Sequence, residues 1–204
     1  MKVVAIITSR WHSKRLPGKA LMDIAGRPML QHVVDRVRQA KLVDEVIVAT
    51  TANSRPIVEY CVLHDILCYA GSEDDVLDRM YQTVKHYQGD VIVYVWGDCP
   101  LIKATEIDKA IKAYRRCPVV PYVYNPRGPL AVMPQATLNR LSYLLTSTKD
   151  REWFHLYMLN SEGPKLILSG KIPPSVDTAE DLKQRITLLE AENVAIPRRE
   201  VLCP

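Results

Sequence analysis

The sequence has few cysteines and no arrangement that would use them together. Cys61, Cys68, Cys99, Cys117 and Cys203 are an odd number, contain no C-x-x-C pair and have no His-x-x-x-His partner, so neither a zinc site nor a disulfide framework is expected. Long hydrophobic runs are also missing. The opening run Val3-Val4-Ala5-Ile6-Ile7 falls short of the ~20 residues that span a membrane and is too short for a secretory core. A reduced, cytoplasmic protein with no membrane partner is expected. Charge of one sign is not in excess: 27 Lys and Arg stand against 23 Asp and Glu, for a net +4. With 8 Gly and 14 Pro, the composition excludes collagenous and low-complexity classes. No repeat and no long polar linker divides the 204 residues, so a single domain over 1–204 is expected. A chain of this length buries roughly 70% of its unfolded surface and can sustain a core.

Two phosphate-binding patterns are missing as well. The chain has no G-x-x-x-x-G-K-[ST], so it is not a P-loop protein, and no G-x-G-x-x-G, which disfavours a dinucleotide fold.

What is present is an alternation of short apolar runs and helical patterns. Runs at 3–8, 45–50, 66–70 and 91–96 are nearly continuous in Val, Ile and Ala, as expected of strands buried on both faces. Helical spacing predicts helices over 29–40 behind Pro28, 56–64, 74–87 opened by Ser72, and 104–116. Helices at 135–146, 151–159 and 179–191 follow, while five prolines mark 118–134 as extended chain and turns. The alternation predicts an α/β fold with a mostly parallel sheet and helices on both faces.

Ligands of open α/β sheets bind beyond the carboxyl ends of the strands. The loop after the first strand, Ser9 to Lys19, holds the cations Arg10, Lys14, Arg15 and Lys19, small hydroxyls at Ser9 and Ser13, and Pro17-Gly18 to shape the turn. A nucleoside triphosphate carries close to four negative charges, which these side chains match with charge-assisted donors. A solvated basic loop or a nucleic-acid patch has the same composition. RNA binding calls for aromatics interleaved with basic stripes, and only Trp11 lies in this loop, so no nucleic-acid partner is expected. After the fourth strand, Gly97 allows close approach and Asp98 is a candidate Mg²⁺ ligand or a turn residue. At Asp177-Thr178-Ala179-Glu180-Asp181, either Asp177 with Glu180 or Thr178 with Asp181 fits a helix capping box. A second metal carboxylate is the alternative there.

These segments, taken with Ile24-Ala25-Gly26-Arg27-Pro28-Met29-Leu30, Gly71-Ser72, Asp75-Val76-Leu77-Asp78-Arg79 and Gly97-Asp98-Cys99-Pro100-Leu101-Ile102, occur in a fixed order over about residues 3 to 190. In that order the chain resembles the cytidylyltransferases that activate sugar acids, and most of all the branch of spore coat polysaccharide biosynthesis protein F. The resemblance implies a Rossmann-like nucleotide-diphospho-sugar transferase fold, CTP as donor, Mg²⁺, a sugar-type acceptor and a homodimer. Carried over by position, Thr8, Ser9, Arg10, Ser13, Arg15, Lys19, Gly71, Ser72 and Asp98 would bind the nucleotide. Arg10 and Lys19 would be catalytic, and Asp98 and Asp177 would hold the metal. Backbone groups at Gly71-Ser72 would approach the cytidine, although a turn and helix cap fits the same residues. Arg79 is read as a structural partner of Asp75.

The acceptor half departs from the family pattern. Trp96 stands where a small polar residue is common, Leu130-Ala131-Val132-Met133 where acidic residues are usual, and Glu152-Trp153 where a Glu-His step is usual. Arg151, Glu152 and a displaced His155 are the acceptor candidates, with 118–160 as an acceptor or dimer subregion. The lost acidic residues point to a more anionic acceptor. Transfer from another nucleotide to a sugar phosphate and a silent nucleotide-binding relative are the alternatives.

Overall fold

A computed structural model describes residues 1–118, 123–125, 130–160, 166–167 and 175–195. Its strands are β1 (Val3–Thr8), β2 (Asp23–Ile24), β3 (Arg27–Pro28), β4 (Glu45–Thr51), β5 (Leu67–Gly71), β6 (Val91–Trp96), β7 (Val123–Asn125), β8 (Leu130–Pro134) and β9 (Leu166–Ile167). Its helices are α1 (Met29–Arg38), α2 (Arg55–Leu63), α3 (Val76–Tyr87), α4 (Ala104–Arg116), α5 (Gln135–Leu144), α6 (Thr148–Glu152), α7 (Phe154–Asn160) and α8 (Ala179–Ala195).

The main sheet has the order β5-β4-β1-β6-β8-β7-β9, and β2 and β3 form a separate hairpin. From β5 to β6 every pairing is parallel. Beyond β6, β8 pairs antiparallel with both β6 and β7. The near-continuous apolar runs divide by parity, because successive side chains of a strand point to opposite faces. Val3, Ala5, Ile7, Val93 and Val95 pack with α1, α2 and α4 on one face. Val4, Ile6, Ile92 and Tyr94 pack with α3, α5 and α7 on the other. Each such Ile or Val, fully buried, contributes about 1.5–3 kcal/mol by leaving water.

Three expectations change. The run 66–70 becomes the edge strand β5, whose residues are only half-buried or exposed, because a strand at the edge has a neighbour on one side alone. The extended segment after residue 118 contains β8, inserted beside β6. Leu130, Ala131, Val132 and Met133 are 0–2% exposed there, split between the two face clusters. They lie inside the sheet, with Leu130 paired to Val95 of β6. The turns expected at Pro121, Pro126 and Pro129, and the thiol of Cys203, lie outside the described residues. Finally, the single helix expected over 151–159 is two, α6 and α7, broken at Trp153.

A third, smaller cluster joins Ile24, Met29, Leu101, Val176 and Leu189. It clamps the start of α8 against the β2–β3 hairpin and so brings residues 175–178 back to the ends of β1 and β6.

Candidate active site

The basic loop is folded on Trp11. The Trp11 amide donates to Ser54 Oγ at 2.9 Å, and the Trp11 carbonyl accepts from the amides of Ser13 and Gly18, each at 3.0 Å. Gly18 has φ +71°, and a Cβ there would lie 3.1 Å from the Trp11 ring, so both backbone conformation and space demand glycine. The turn leads into a short 3₁₀ segment, Lys19–Leu21, that returns Lys19 beneath the sheet ends.

Gly97 meets β1 as closely as its lack of a side chain allows. Its amide donates to the Thr8 carbonyl at 2.9 Å, and a Cβ would come within 2.7 Å of that oxygen. Asp98 therefore emerges directly beside the first loop. The Asp98 carbonyl accepts from the Val176 amide at 2.8 Å, which fixes the approach to α8. Thr178 and Asp181 form the capping box: the Thr178 amide and hydroxyl donate to Asp181 Oδ2 at 2.9 and 2.8 Å, and the Asp181 amide donates to Thr178 Oγ1 at 3.1 Å. These bonds from Thr178 and the Asp177 amide hold the Asp181 carboxyl below its usual value. Because Thr178 caps the helix, the Asp177 carboxylate is free to face inward.

Lys19 Nζ sits among all of these groups. It donates to Asp98 Oδ2 at 2.6 Å, to the Val176 carbonyl at 2.7 Å and to Asp177 Oδ1 at 3.2 Å. Arg15 Nη2 reaches the same Asp177 oxygen at 2.7 Å, and the Ser175 hydroxyl donates to the other at 3.1 Å. The Lys19 side chain is 13% exposed, so its ion pairs are screened far less than surface pairs.

These residues form one end of a cleft of about 1000 Å³. Thr8, Ser9, Arg10, Ser13, Arg15, Lys19, Asp98, Asp177, Glu152 and His155 all line it, and so does Lys14. Gly71, Ser72 and Arg151 stand outside the lining. Gly71 is small because a Cβ would press on Tyr69 Cε1 at 3.1 Å and Arg79 Cγ at 3.2 Å. The Ser72 carbonyl accepts from Arg79 Nη1 at 2.6 Å, and its hydroxyl accepts from the Asp75 amide at 3.2 Å. Asp75, not Ser72, caps α3, accepting from the Asp78 amide at 2.8 Å. The partner of Asp75 is Arg151 rather than Arg79: Arg151 Nε donates to Asp75 Oδ2 at 2.6 Å, and Nη1 donates to the Ser142 and Leu145 carbonyls at 3.0 and 2.8 Å. Those bonds tie α6 to α3 and α5.

Residues 4–165 match the cytidylyltransferase family. The chain belongs to that family. An uncharacterised protein of Methanocaldococcus jannaschii is 42% identical over 114 residues, 55% of this chain and 47% of that protein. The 3-deoxy-manno-octulosonate cytidylyltransferase of Trichlorobacter lovleyi is 40% identical over 118 residues, 56% of this chain and 45% of its own length. The chain thus spans about half the length of the curated relatives it matches. Two solved structures share the fold at 22% identity. A cytidylyltransferase of Leptospira borgpetersenii has a TM-score of 0.81 with all of both chains covered. A CMP:2-keto-3-deoxy-manno-octonic acid synthetase complexed with CTP has a TM-score of 0.78, covering 94% of this chain and 100% of that one. A more distant fold relative from Mycobacterium tuberculosis, 16% identical with a TM-score of 0.68 over 92% of this chain and 99% of its own, is a complex with manganese.

The far end of the cleft is aromatic. His155, 3% exposed, has ring centroids of Trp96, Trp153, Tyr94 and Phe154 at 5.1, 5.7, 5.9 and 6.0 Å. Burial brings its imidazole down to about 4, so it is neutral at physiological pH, and neither ring nitrogen has a partner. Burial likewise pushes the Tyr94 phenol up to about 12. Arg10 bridges the two ends, lying 3.7 Å from Glu152. Arg79, Tyr94 and Trp153 are lining residues that sequence reasoning missed. Tyr94 gave no signal inside an apolar strand, and Arg79 had a ready helical partner in Asp75.

Proposed function

We propose that the protein transfers CMP from CTP to a hydroxyl of a sugar acid or related polyol, releasing pyrophosphate, as part of surface polysaccharide or glycoconjugate synthesis. The observation that carries this reading is that Arg10, Lys14, Arg15 and Lys19 all line one cleft together with Asp98 and Asp177. Four cations match the charge of a triphosphate. The names of the curated relatives support the same donor and acceptor class, and the resemblance of the motifs to the spore coat branch supports the polysaccharide role. Residues 118–160 form the acceptor subregion in this reading, since Glu152, Trp153 and His155 come from it.

The residues fit a hard divalent ion. Asp98 and Asp177 are oxygen donors that converge on one ammonium nitrogen, at 2.6 and 3.2 Å, so they already enclose a cation position. Mg²⁺ is characteristically held by one or two carboxylates with phosphate oxygens and water. Among the described residues no group of three or more His, Cys, Asp or Glu offers a metal cage, in keeping with a site completed by substrate. When bound, the ion would polarise the phosphoryl oxygens and offset their charge.

The chain's own part is positioning and electrostatics. An acceptor oxygen forms a bond to the α-phosphorus, the bond from that phosphorus to the bridging oxygen breaks, pyrophosphate leaves, and the hydroxyl proton is released to water. Acceptor and α-phosphate repel, and Arg10, Arg15 and Lys19 offset the charge that gathers as they meet. Lys19 is oriented by Asp98, Asp177 and the Val176 carbonyl before any substrate arrives.

The test is pyrophosphate release with each of the four ribonucleoside triphosphates against a panel of sugar acids, polyols and sugar phosphates, with and without Mg²⁺. Release with CTP, a hydroxyl acceptor and Mg²⁺ is expected. Release only with another triphosphate and a sugar phosphate replaces the reading. No binding of CTP, and no release with any pair, overturns it.

A further inference from the structure

Helix α6 has almost nothing of its own to hold it. It is five residues long, none of them is buried, and Ser147 at its start makes no side-chain cap bond. A helix this short is marginal unless tertiary contacts fix it. Yet it carries part of the cleft wall: Thr148 and Glu152 line the cleft from α6, and Trp153 and His155 follow directly. Asp74, Val76 and Arg79 line the same cleft from the start of α3.

An ion pair outside the lining joins these two sets of residues. Asp75 lies between Asp74 and Val76 in the chain, and Arg151 lies next to Glu152. Their side chains are 28% and 18% exposed, and Arg151 Nε donates to Asp75 Oδ2 at 2.6 Å. Each partner has a second hold. The other oxygen of Asp75 accepts from the Asp78 amide and caps α3, while Arg151 Nη1 donates to the Ser142 and Leu145 carbonyls at the end of α5. The neighbouring elements are anchored by other means. Phe154 and Met158 fix α7 in the core. The first loop is held on Ser54 through Trp11 and on Asp98 and Asp177 through Lys19, and it meets α6 where Arg10 lies 3.7 Å from Glu152. A charge-assisted bond is roughly twice as strong as a neutral one, so the Asp75–Arg151 bond is well suited to set where α6 stands.

We propose that Arg151 is a positioning residue. Paired with Asp75, it clamps α6 to α3 and α5 from behind the cleft wall and so sets where Glu152, Trp153 and His155 stand, while touching neither substrate. The inference rests on the CMP-transfer reading and assigns the clamp to the acceptor side, since the cationic loop has supports of its own. It replaces direct acceptor binding by Arg151, the role implied by the resemblance.

The test compares the full-length wild type with Asp75→Asn, Arg151→Lys, Arg151→Gln and the double variant of Asp75→Asn with Arg151→Gln. Asparagine still accepts the Asp78 amide, so Asp75→Asn keeps the helix cap but turns an amide nitrogen toward Arg151. Pyrophosphate release is measured with CTP, Mg²⁺ and the acceptor of the panel above that wild type uses fastest. Hydrogen exchange of amides 148–158 is followed by mass spectrometry without ligand, and thermal melts check each fold. The half-saturating acceptor concentration should rise about tenfold or more in Asp75→Asn and in Arg151→Gln, with half-saturating CTP within about threefold of wild type. Arg151→Lys should recover part of the loss, and the double variant should be no worse than the more impaired single one, because both remove the same bond. Exchange over 148–158 should rise about tenfold in both single variants while 76–87 stays protected. If Arg151→Gln raises the acceptor requirement and Asp75→Asn does not, Arg151 touches the acceptor itself and the positioning role is overturned. It is equally overturned if neither variant changes that requirement, or if half-saturating CTP rises as much. Should Arg151→Gln fail to fold, Asp75→Asn and Arg151→Lys decide. Failure of the wild type to bind CTP and to release pyrophosphate with any acceptor is a different outcome, which removes the transfer reading. The exchange experiment stands apart from that reading, and unchanged exchange over 148–158 in both single variants overturns the clamp.

Discussion

The two ends of the cleft handle buried polarity in opposite ways. Around Lys19, every strong charge is answered: the ammonium touches two carboxylates and a carbonyl, and one of those carboxylates also holds Arg15. At the other end, both ring nitrogens of His155 are buried among aromatic rings without a hydrogen-bond partner, as is Arg79 Nε, while Arg79 Nη1 donates to the Ser72 carbonyl. A paired set is ready for a charged ligand and stands in the folded chain at little cost. An unpaired set is stable only because the rest of the core holds it in place. Substitutions at the paired end should therefore strike turnover, and those at the unpaired end should strike stability and its pH dependence.

The sharpest test at the paired end is Asp98→Asn. Pyrophosphate release with CTP and Mg²⁺ should fall a hundred- to thousandfold, the scale for losing one such electrostatic group, while the melting temperature stays close to wild type. Full activity would remove Asp98 from the metal site. At the other end, His155 falls from the ordinary 6.5 to about 4 on folding because burial disfavours the imidazolium. Between those values the unfolded chain binds more protons than the folded one, so stability rises with pH across that window and is lost as pH falls from about 6.5 to about 4. The full loss is about 3 kcal/mol at most, at roughly 1.4 kcal/mol per pH unit. Denaturant midpoints at pH 4.5 and pH 7 measure it, and His155→Phe should flatten the difference. An unchanged pH profile in that variant would show that His155 is not the group responsible.

Gly97→Ala probes the seam where the two ends meet, since its Cβ would lie 2.7 Å from the Thr8 carbonyl oxygen. A loss of about 2 kcal/mol is expected, because a backbone atom rather than a flexible side chain must shift. Wild-type stability would mean that β1 and β6 separate there without strain. The smallest effect belongs to Thr178→Ala, which removes the helix cap but not Asp177. About 1 kcal/mol should be lost, or a few degrees in melting temperature, with turnover nearly unchanged. A tenfold fall in pyrophosphate release would show that the capping box, not the Lys19 and Arg15 contacts, places Asp177.

Much of this was legible in the sequence where the signal was local. The strands 3–8 and 91–96 stand at the predicted bounds, because an apolar run flanked by turn residues has few other ways to be buried. The phosphate loop was legible because its four cations lie within ten positions. β8 was not, since four apolar residues among prolines read as loop until β6 supplies a pairing edge. The partner of Asp75 was missed for the same reason. Spacing allowed Asp75 to pair with Arg79, and only the packing of α6 on α3 brought Arg151 to that carboxylate in its place.

By itself, then, the sequence determined the alternation of strand and helix, the cationic first loop, and the Gly-Asp and Thr-x-x-Asp steps, because each rests on neighbours along the chain. The tertiary structure alone decided what those groups do. Lys19 meets Asp98 across 79 positions and Asp177 across 158, and both ring nitrogens of His155 are left unpartnered by the packing around them. Whether a charge is answered or left waiting depends on which groups meet in space and how much water remains between them.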